Sequence, residues 1–506
     1  MRKTTLALAI AAALGVATQT QAADLWDTYQ LAVNNDPTYL QAEANYEAAI
    51  EAKPIARAGY LPNITFTGTR YRSESGGDQI GVSNTTPPTI GLQNFTSTTY
   101  QTQYQFQLTQ PIFNWAAWQT IDQADASAAQ AEANWVVAQQ SLILRTATAY
   151  FNVLNARDTL AADHAATEAN SKQLEQAKEK YDVGMSAITD VQEAQAAYDQ
   201  SVANEINAQQ QVTNAEESLR AITGQPVGDL LEPSPDMPLR SPEPGNAQQW
   251  VDQALKQNPN LLAAQSAADA ADANVGIKRA GHFPTLNAIA QHTKTDDTGN
   301  NIFDLSHTTG NFVELQLSVP IFSGGGVWAQ VNQAQRQYDA AVDNVKLVTR
   351  QTEQQARTAY LGVLTGISQV NALKQSVKSN QTSMDATETG MQVGTRTIVD
   401  VLTARQNLLT AQTNFANARY TYLENVLQLK QAAGNLNEGD LKQMNVVLQV
   451  KAPGDSMGTD TTTLENGTEM APAAGTSAIP AAAAPAPSAA PAAGTTTPPA
   501  STPPKR

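Results

Sequence analysis

Tyr100-Gln101-Thr102-Gln103-Tyr104-Gln105-Phe106-Gln107-Leu108-Thr109 is the stretch on which the fold turns. Successive side chains of an extended chain point to opposite faces. Tyr100, Thr102, Tyr104, Phe106 and Leu108 therefore share one face, and Gln101, Gln103, Gln105, Gln107 and Thr109 share the other. Such a strand suits either a soluble hairpin with one buried face or the wall of a membrane barrel with a wet lumen. A second alternation sets Val313, Leu315, Leu317 and Val319 against Glu314, Gln316 and Ser318. Weaker strands precede each: Ile64, Phe66 and Gly68, then Leu286, Ala288 and Ala290. The polar stretches Ser73–Thr98 and Thr293–Gly310 are expected to be long exterior loops joining each strand pair.

Directly after the first strong strand, no proline or glycine interrupts Trp115 to Tyr181. About 67 helical residues at 1.5 Å each would reach roughly 100 Å. The apolar seam Ile121, Ala124, Ala128, Ala131, Trp135, Ala138, Leu142 alternates steps of three and four, the spacing of a coiled coil. It continues, one step shifted, as Thr146, Ala149, Val153, Ala156, Leu160. A second helix repeats it at Val331, Ala334, Tyr338, Ala341, Val345, Val348, Thr352, then Ala356, Ala359, Val363, Gly366 and Val370. The shift falls at the same place in both and reads as a local change in winding. Such helices are too polar for lipid and far longer than its ~30 Å apolar thickness. They are expected to project into water as a coiled-coil assembly.

The doubled helix belongs to a doubled chain. Asn35-Asp36-Pro37 recurs as Gln257-Asn258-Pro259, and Arg57-Ala58-Gly59-Tyr60-Leu61-Pro62 as Arg279-Ala280-Gly281-His282-Phe283-Pro284. Leu108 to Phe113 recurs as Leu317 to Phe322, and Val183-Gly184 with Asp190-Val191 as Val393-Gly394 with Asp400-Val401. Ordered markers of this kind indicate an internal two-fold repeat. The expected organisation is a signal peptide (1–22), a first repeat (23–225), a proline-rich connector (226–245), a second repeat (246–450) and a disordered Ala/Pro/Thr-rich tail (451–506). Arg2 and Lys3, the apolar run Leu6 to Val16 and the small-residue exit at Ala22 form the export signal.

The chain has no cysteine, so disulfides and a lipid-modified N-terminal Cys are excluded. Its net charge of -16 argues against nucleic acid as a partner. An exported chain with no helical span is held in a membrane, if at all, by strands. Four strands cannot close a barrel, and an open sheet leaves unpaired edges in lipid at several kcal/mol per unsatisfied group. Two or three chains must share one barrel. The alternative is a structural coiled-coil protein of the cell envelope without a pore. Enzyme chemistry has no foothold: His164, His282, His292 and His307 are scattered, no Ser occupies a nucleophile elbow, and Gly324-Gly325-Gly326 lacks the Lys of a phosphate loop. No cofactor or metal is expected.

Tyr150-Phe151-Asn152-Val153-Leu154-Asn155-Ala156, Ala187-Ile188-Thr189-Asp190-Val191-Gln192 and Val393-Gly394-Thr395-Arg396-Thr397-Ile398-Val399-Asp400-Val401-Leu402 resemble segments of the TolC family of outer-membrane efflux and secretion ducts. The resemblance runs from the leader to about Val450. It implies a mixed α/β membrane protein: a trimeric twelve-stranded β-barrel, four strands per chain, continued by a long α-helical coiled-coil barrel in the periplasm. It further implies a gated exit for drugs, detergents or proteins in tripartite efflux and type I secretion, and partners in a periplasmic adaptor and an inner-membrane transporter.

The turns at about Tyr181–Ala187 and Met391–Arg396 end the long helices, with Gly184 and Gly394 supplying permissive backbone. Asp190 and Asp400 fall in the first turn of the returning helices, where the helix dipole favours a carboxylate. The resemblance implies that Arg396 pairs with Asp190 and Thr189 as a gate latch. It also implies that Asp400 forms a pore carboxylate ring, whose mutual repulsion should raise its pKa, and that Val183, Gly184, Val393 and Gly394 form the tip turns that meet the adaptor. Met391 stands where the family has a latch tyrosine, and Thr403 where it has a second acid. A weaker latch and a single ring are expected.

Overall fold

The computed structural model describes residues 23–82, 86–234, 237–299, 306–446 and 448–449. The expected signal peptide and tail lie outside the described residues. Three short helices, α1 (Leu25–Asn35), α2 (Pro37–Ile50) and α3 (Ala52–Ala58), lead into strands β1 (Asn63–Val82) and β2 (Ile90–Phe113). Helix α4 (Trp115–Asp182) runs 68 residues and returns as α5 (Ile188–Thr223). After a two-residue strand β3 (Glu232–Pro233) come α6 (Ala247–Gln257), α7 (Pro259–Arg279), β4 (Thr285–Gly299) and β5 (Ser306–Ser318). Helix α8 (Gly326–Gln392) runs 67 residues and returns as α9 (Ile398–Ala432). Helix α10 (Glu438–Asn445) and strand β6 (Leu448–Gln449) close the described chain.

The four long strands form one antiparallel sheet in the order β1-β2-β4-β5. Its register places Ile64, Leu108, Ala290 and Val313 in a single cross-strand row. The next row on the same face holds Phe66, Phe106, His292 and Asn311. Gln and Thr dominate the other face, as the alternation required. Nothing among the described residues covers the apolar face: Ile64 is 73% exposed, Val313 81% and Leu315 72%. Strands β1 and β5 are its two edges.

One expectation is overturned. Ser73–Thr98 is mostly strand rather than loop, with Glu74 opposite Thr98 and Ile80 opposite Leu92. Likewise Thr293 to Gly299 and Ser306 to Gly310 belong to β4 and β5. Ladder hydrogen bonds join backbone groups and need no apolar face. Over 73–77 and 94–98 the period-2 pattern fades although the strand continues, and it returns only at the far end, where Ile80 and Val82 lie opposite Leu92 and Ile90. The dense Thr content of these stretches was the surviving signal, since β-branched residues favour the pleated chain.

The long helices form because no proline breaks them, and α4 begins on a side-chain cap. Asn114 accepts the Ala117 amide to start α4. Gly324 and Gly325, both at positive φ, turn the chain out of the sheet into α8. No seam position on α4 or α8 is exposed. No helix among the described residues is long and apolar enough to cross a membrane.

The main core sits halfway along the helices. Tyr150, Phe151 and Leu154 of α4 pack with Leu25 and Tyr29 of α1, Leu423 and Leu427 of α9, Leu441 of α10 and Trp250 of α6. Each such side chain contributes about 1.5–3 kcal/mol by burial. Hydroxyls clamp the proline-rich segment over this core: Tyr150 donates to the Leu231 carbonyl at 2.7 Å, Tyr360 to Gly245 at 2.9 Å and Tyr422 to Arg240 at 3.0 Å.

Candidate functional site

The two helical hairpins end in the same backbone device. In the first, the Gly184 amide donates to the Tyr181 carbonyl at 2.9 Å and Met185 to Lys180 at 2.7 Å. In the second, Gly394 donates to Met391 at 3.1 Å and Thr395 to Gly390 at 2.8 Å. This paired closure of a helix C-terminus needs a left-handed residue. Gly184 has φ 74° and Gly394 φ 77°. Val183 and Val393, the helix caps beside them, are 68% and 71% exposed. The tips thus present apolar side chains to solvent on a rigid turn.

The returning helices start differently. Thr397 and Asp400 form a reciprocal capping box on α9: the Asp400 carboxylate accepts the Thr397 amide at 2.9 Å and its hydroxyl at 3.0 Å. These bonds hold the Asp400 carboxyl below its ordinary value, with the nearby Arg396 charge adding a smaller effect. Within one chain the local influence on Asp400 is therefore downward, opposite to the rise expected of a ring. Helix α5 has no side-chain cap at Ala187. Instead the half-buried Asp190 accepts the Ser186 hydroxyl at 2.6 Å.

Arg396 is exposed and folds back over its own hairpin: a Cβ added at Gly390 would lie 2.7 Å from the Arg396 Cγ. Among the described residues of one chain it makes no ion pair with Asp190 and no hydrogen bond to the exposed Thr189. Packing nevertheless joins the tips, because Ile398 of α9 rests on the cluster Leu174, Ala177, Val191 and Ala194 of the first hairpin.

Farther from the tips lies a groove of about 320 Å³ between α4, α5 and α9, walled by Asp163, Asn170, Gln200, Asn204, Thr403 and Arg405 among others. Nη1 of Arg405 is buried there with no hydrogen-bond partner among the described residues. Burial, helped by Glu205, raises the Asp163 carboxyl. Beside it His164 of α4 meets Glu205 of α5 at 2.7 Å. Neither Arg405 nor this pair stood out in the sequence, since residues 41 positions apart become neighbours only when the hairpin closes.

The hydrogen bond that the His164 imidazole donates to Glu205, and the charge of that carboxylate, raise His164 above its ordinary 6.5. The link between α4 and α5 is therefore complete below 6.5 and is lost as pH rises through the raised value. The His164 imidazole, followed by NMR, should titrate above 6.5 and fall back in Glu205→Gln. An unchanged midpoint would remove the pair.

The sequence profile of outer membrane efflux proteins matches residues 28–225 and 250–435. The chain is 37% identical over 444 residues to outer membrane protein TolC of Escherichia coli K12, covering 86% of this chain and 87% of that protein. It is 28% identical over 420 residues to the alkaline protease secretion protein AprF of Pseudomonas aeruginosa, covering 83% and 86%. The crystal structure of the outer membrane protein VceC of Vibrio cholerae shares the fold, with a TM-score of 0.67 at 20% identity over 81% of this chain and 96% of that one.

Proposed function

This chain belongs to the outer membrane efflux protein family, and from that premise we propose how its geometry makes an exit duct for efflux and type I secretion. It is an outer-membrane protein, and its relatives are transport channels rather than enzymes.

The observation that carries the reading is the open sheet. Its bare apolar face is what lipid requires, and its Gln- and Thr-lined face is what a wet lumen requires. Its edges β1 and β5 each carry a row of backbone groups that lipid would leave unsatisfied. Edge β1 of one chain pairs with β5 of the next, and the resemblance to TolC favours three chains and twelve strands. The rods α4, α5, α8 and α9 then enclose water below the barrel. The two halves of the chain, 23–225 and 246–450, supply equivalent hairpins joined by the segment 226–245. A pore-free coiled-coil scaffold would have no use for the bare face.

The hairpin tips are the gate. Arg396, exposed and without an ion pair among the described residues, would latch onto Asp190 and Thr189 where tips meet around the axis. Asp190 is presented by its bond to Ser186. Asp400 from three chains would form a ring that attracts cations, and mutual repulsion would oppose the downward pull of its cap. The exposed turns Val183-Gly184 and Val393-Gly394 are the surface for a periplasmic adaptor, which links the duct to an inner-membrane transporter.

The test is conductance of the purified oligomer in a planar bilayer. Small, cation-selective steps blocked by trivalent cations are expected. Asp400→Asn, which retains a side chain able to bond Thr397 but removes the charge, should weaken that block. Equal block before and after takes Asp400 out of the pore, and no conductance from the intact oligomer ends the duct reading.

A further inference from the structure

We propose that the outward face of the sheet carries, above its apolar band, a docking belt for a phosphorylated lipid headgroup of the outer leaflet. The belt is built from Arg70, Arg72 and Lys294 with Tyr100 and Tyr104. This rests on the duct reading, which puts the helices in the periplasm and the β1–β2 and β4–β5 turns outside.

The register assembles the belt from three strands. One outward row holds Gly68, Tyr104, Lys294 and Thr309; the next holds Arg70, Thr102, Asp296 and His307; above it lie Arg72 and Tyr100, paired across β1 and β2. Arg70, Arg72, Lys294, Tyr100 and Tyr104 are exposed. These rows share their face with Ile64, Phe66, Phe106, Leu108 and Val313, so they look toward lipid and not into the lumen.

Their height fits a headgroup. From Leu317, low on β5, to His307 in the Arg70 row is about ten residues, or roughly 33 Å along the strand. A strand tilt of about 40° reduces that to about 25 Å, the height of the apolar band of an outer-membrane barrel. The Arg70 row therefore stands at the outer interface, with Tyr100 and Tyr104 placed as an aromatic girdle.

The charge is also right. Lys294 lies 3.6 Å and His307 3.8 Å from Asp296, and Arg72 pairs with Glu74. Arg70 has no ion pair among the described residues. Three cations against two acids leave the belt at +1, on a chain whose net charge is -16. A guanidinium offers a forked donor to phosphate, and a partly paired neighbour can share its remaining N–H groups. Repetition around the barrel gives a ring of such sites.

The experiment uses the full-length detergent-solubilised oligomer and lipid A in bisphosphorylated and dephosphorylated forms, with bound lipid counted by native mass spectrometry. The intact protein should retain the phosphorylated form preferentially. Arg70→Gln, Arg72→Gln and Lys294→Gln combined should weaken that retention by about fivefold per charge removed. Arg70→Gln alone, read in parallel, guards against failed assembly of the combined variant. Equal retention of both lipids by the intact protein, or unchanged retention in both variants, overturns the belt. Conductance of the intact oligomer in the same preparation tests the duct reading separately: channels without lipid preference sink only the belt.

Discussion

Val313→Arg should abolish the assembled barrel, while Gln316→Arg on the same strand should leave it standing. Val313 lies in the row Ile64, Leu108, Ala290, Val313, near the middle of the apolar face, and is 81% exposed in the single chain. If that face meets lipid, an Arg at this depth costs about 2–4 kcal/mol in each copy. In the proposed trimeric barrel three copies would raise this to roughly 6–12 kcal/mol, comparable to the whole stability of an ordinary domain. Gln316 points the other way, into water, where a charge costs little. The readout is the heat-modifiable, detergent-resistant oligomer in the outer-membrane fraction. Equal yields from the two variants would mean that the bare face is covered by protein and not by lipid, and the barrel would fall with it.

Arg396→Ala should open the gate. An exposed ion pair contributes about 0–1 kcal/mol, so in the proposed trimer three copies together would hold the closed state by up to about 3 kcal/mol. Removing them shifts the closed-to-open ratio by as much as roughly a hundredfold, since 1.4 kcal/mol is tenfold. Single-channel conductance in a planar bilayer should rise accordingly. Asp190→Ala should raise it too, by breaking the same link from the other side. If the proposed latch forms, Met391 in place of the family's tyrosine would leave Arg396 a larger share of the closure. Unchanged conductance in both variants would show that packing of the tips, such as Ile398 against Val191 and Ala194, holds the entrance without a charged latch.

Some of the site was legible before the structure. Gly184 and Gly394 announced the two turns because a helix ending in a left-handed residue selects glycine, and both have positive φ. Asp190 and Asp400 fell in the first turns of α5 and α9 because polar residues collect there, but their partners did not follow from position. Asp400 is held by Thr397, while Asp190 is held by Ser186 in a helix with no side-chain cap. The His164–Glu205 contact and the buried Nη1 of Arg405 left no trace in the chain at all.

The linear chain determined whatever depends on local repetition. Alternation at 100–109 and 313–319 specified strands with one apolar face, and uninterrupted seams specified helices of about 67 residues. These signals survive in one dimension because neighbours in sequence are neighbours in the element. The extended ribbon above the apolar band alternates only briefly, at 80–82 and 90–92, and backbone pairing from Glu74–Thr98 to Ile80–Leu92 revealed it as strand. Tertiary structure alone decided which strands are edges, and which residues more than 200 positions apart, such as Arg70 and Asp296, share one row. Those are properties of strand order and register, set by hydrogen bonds between distant segments, and no local pattern carries them.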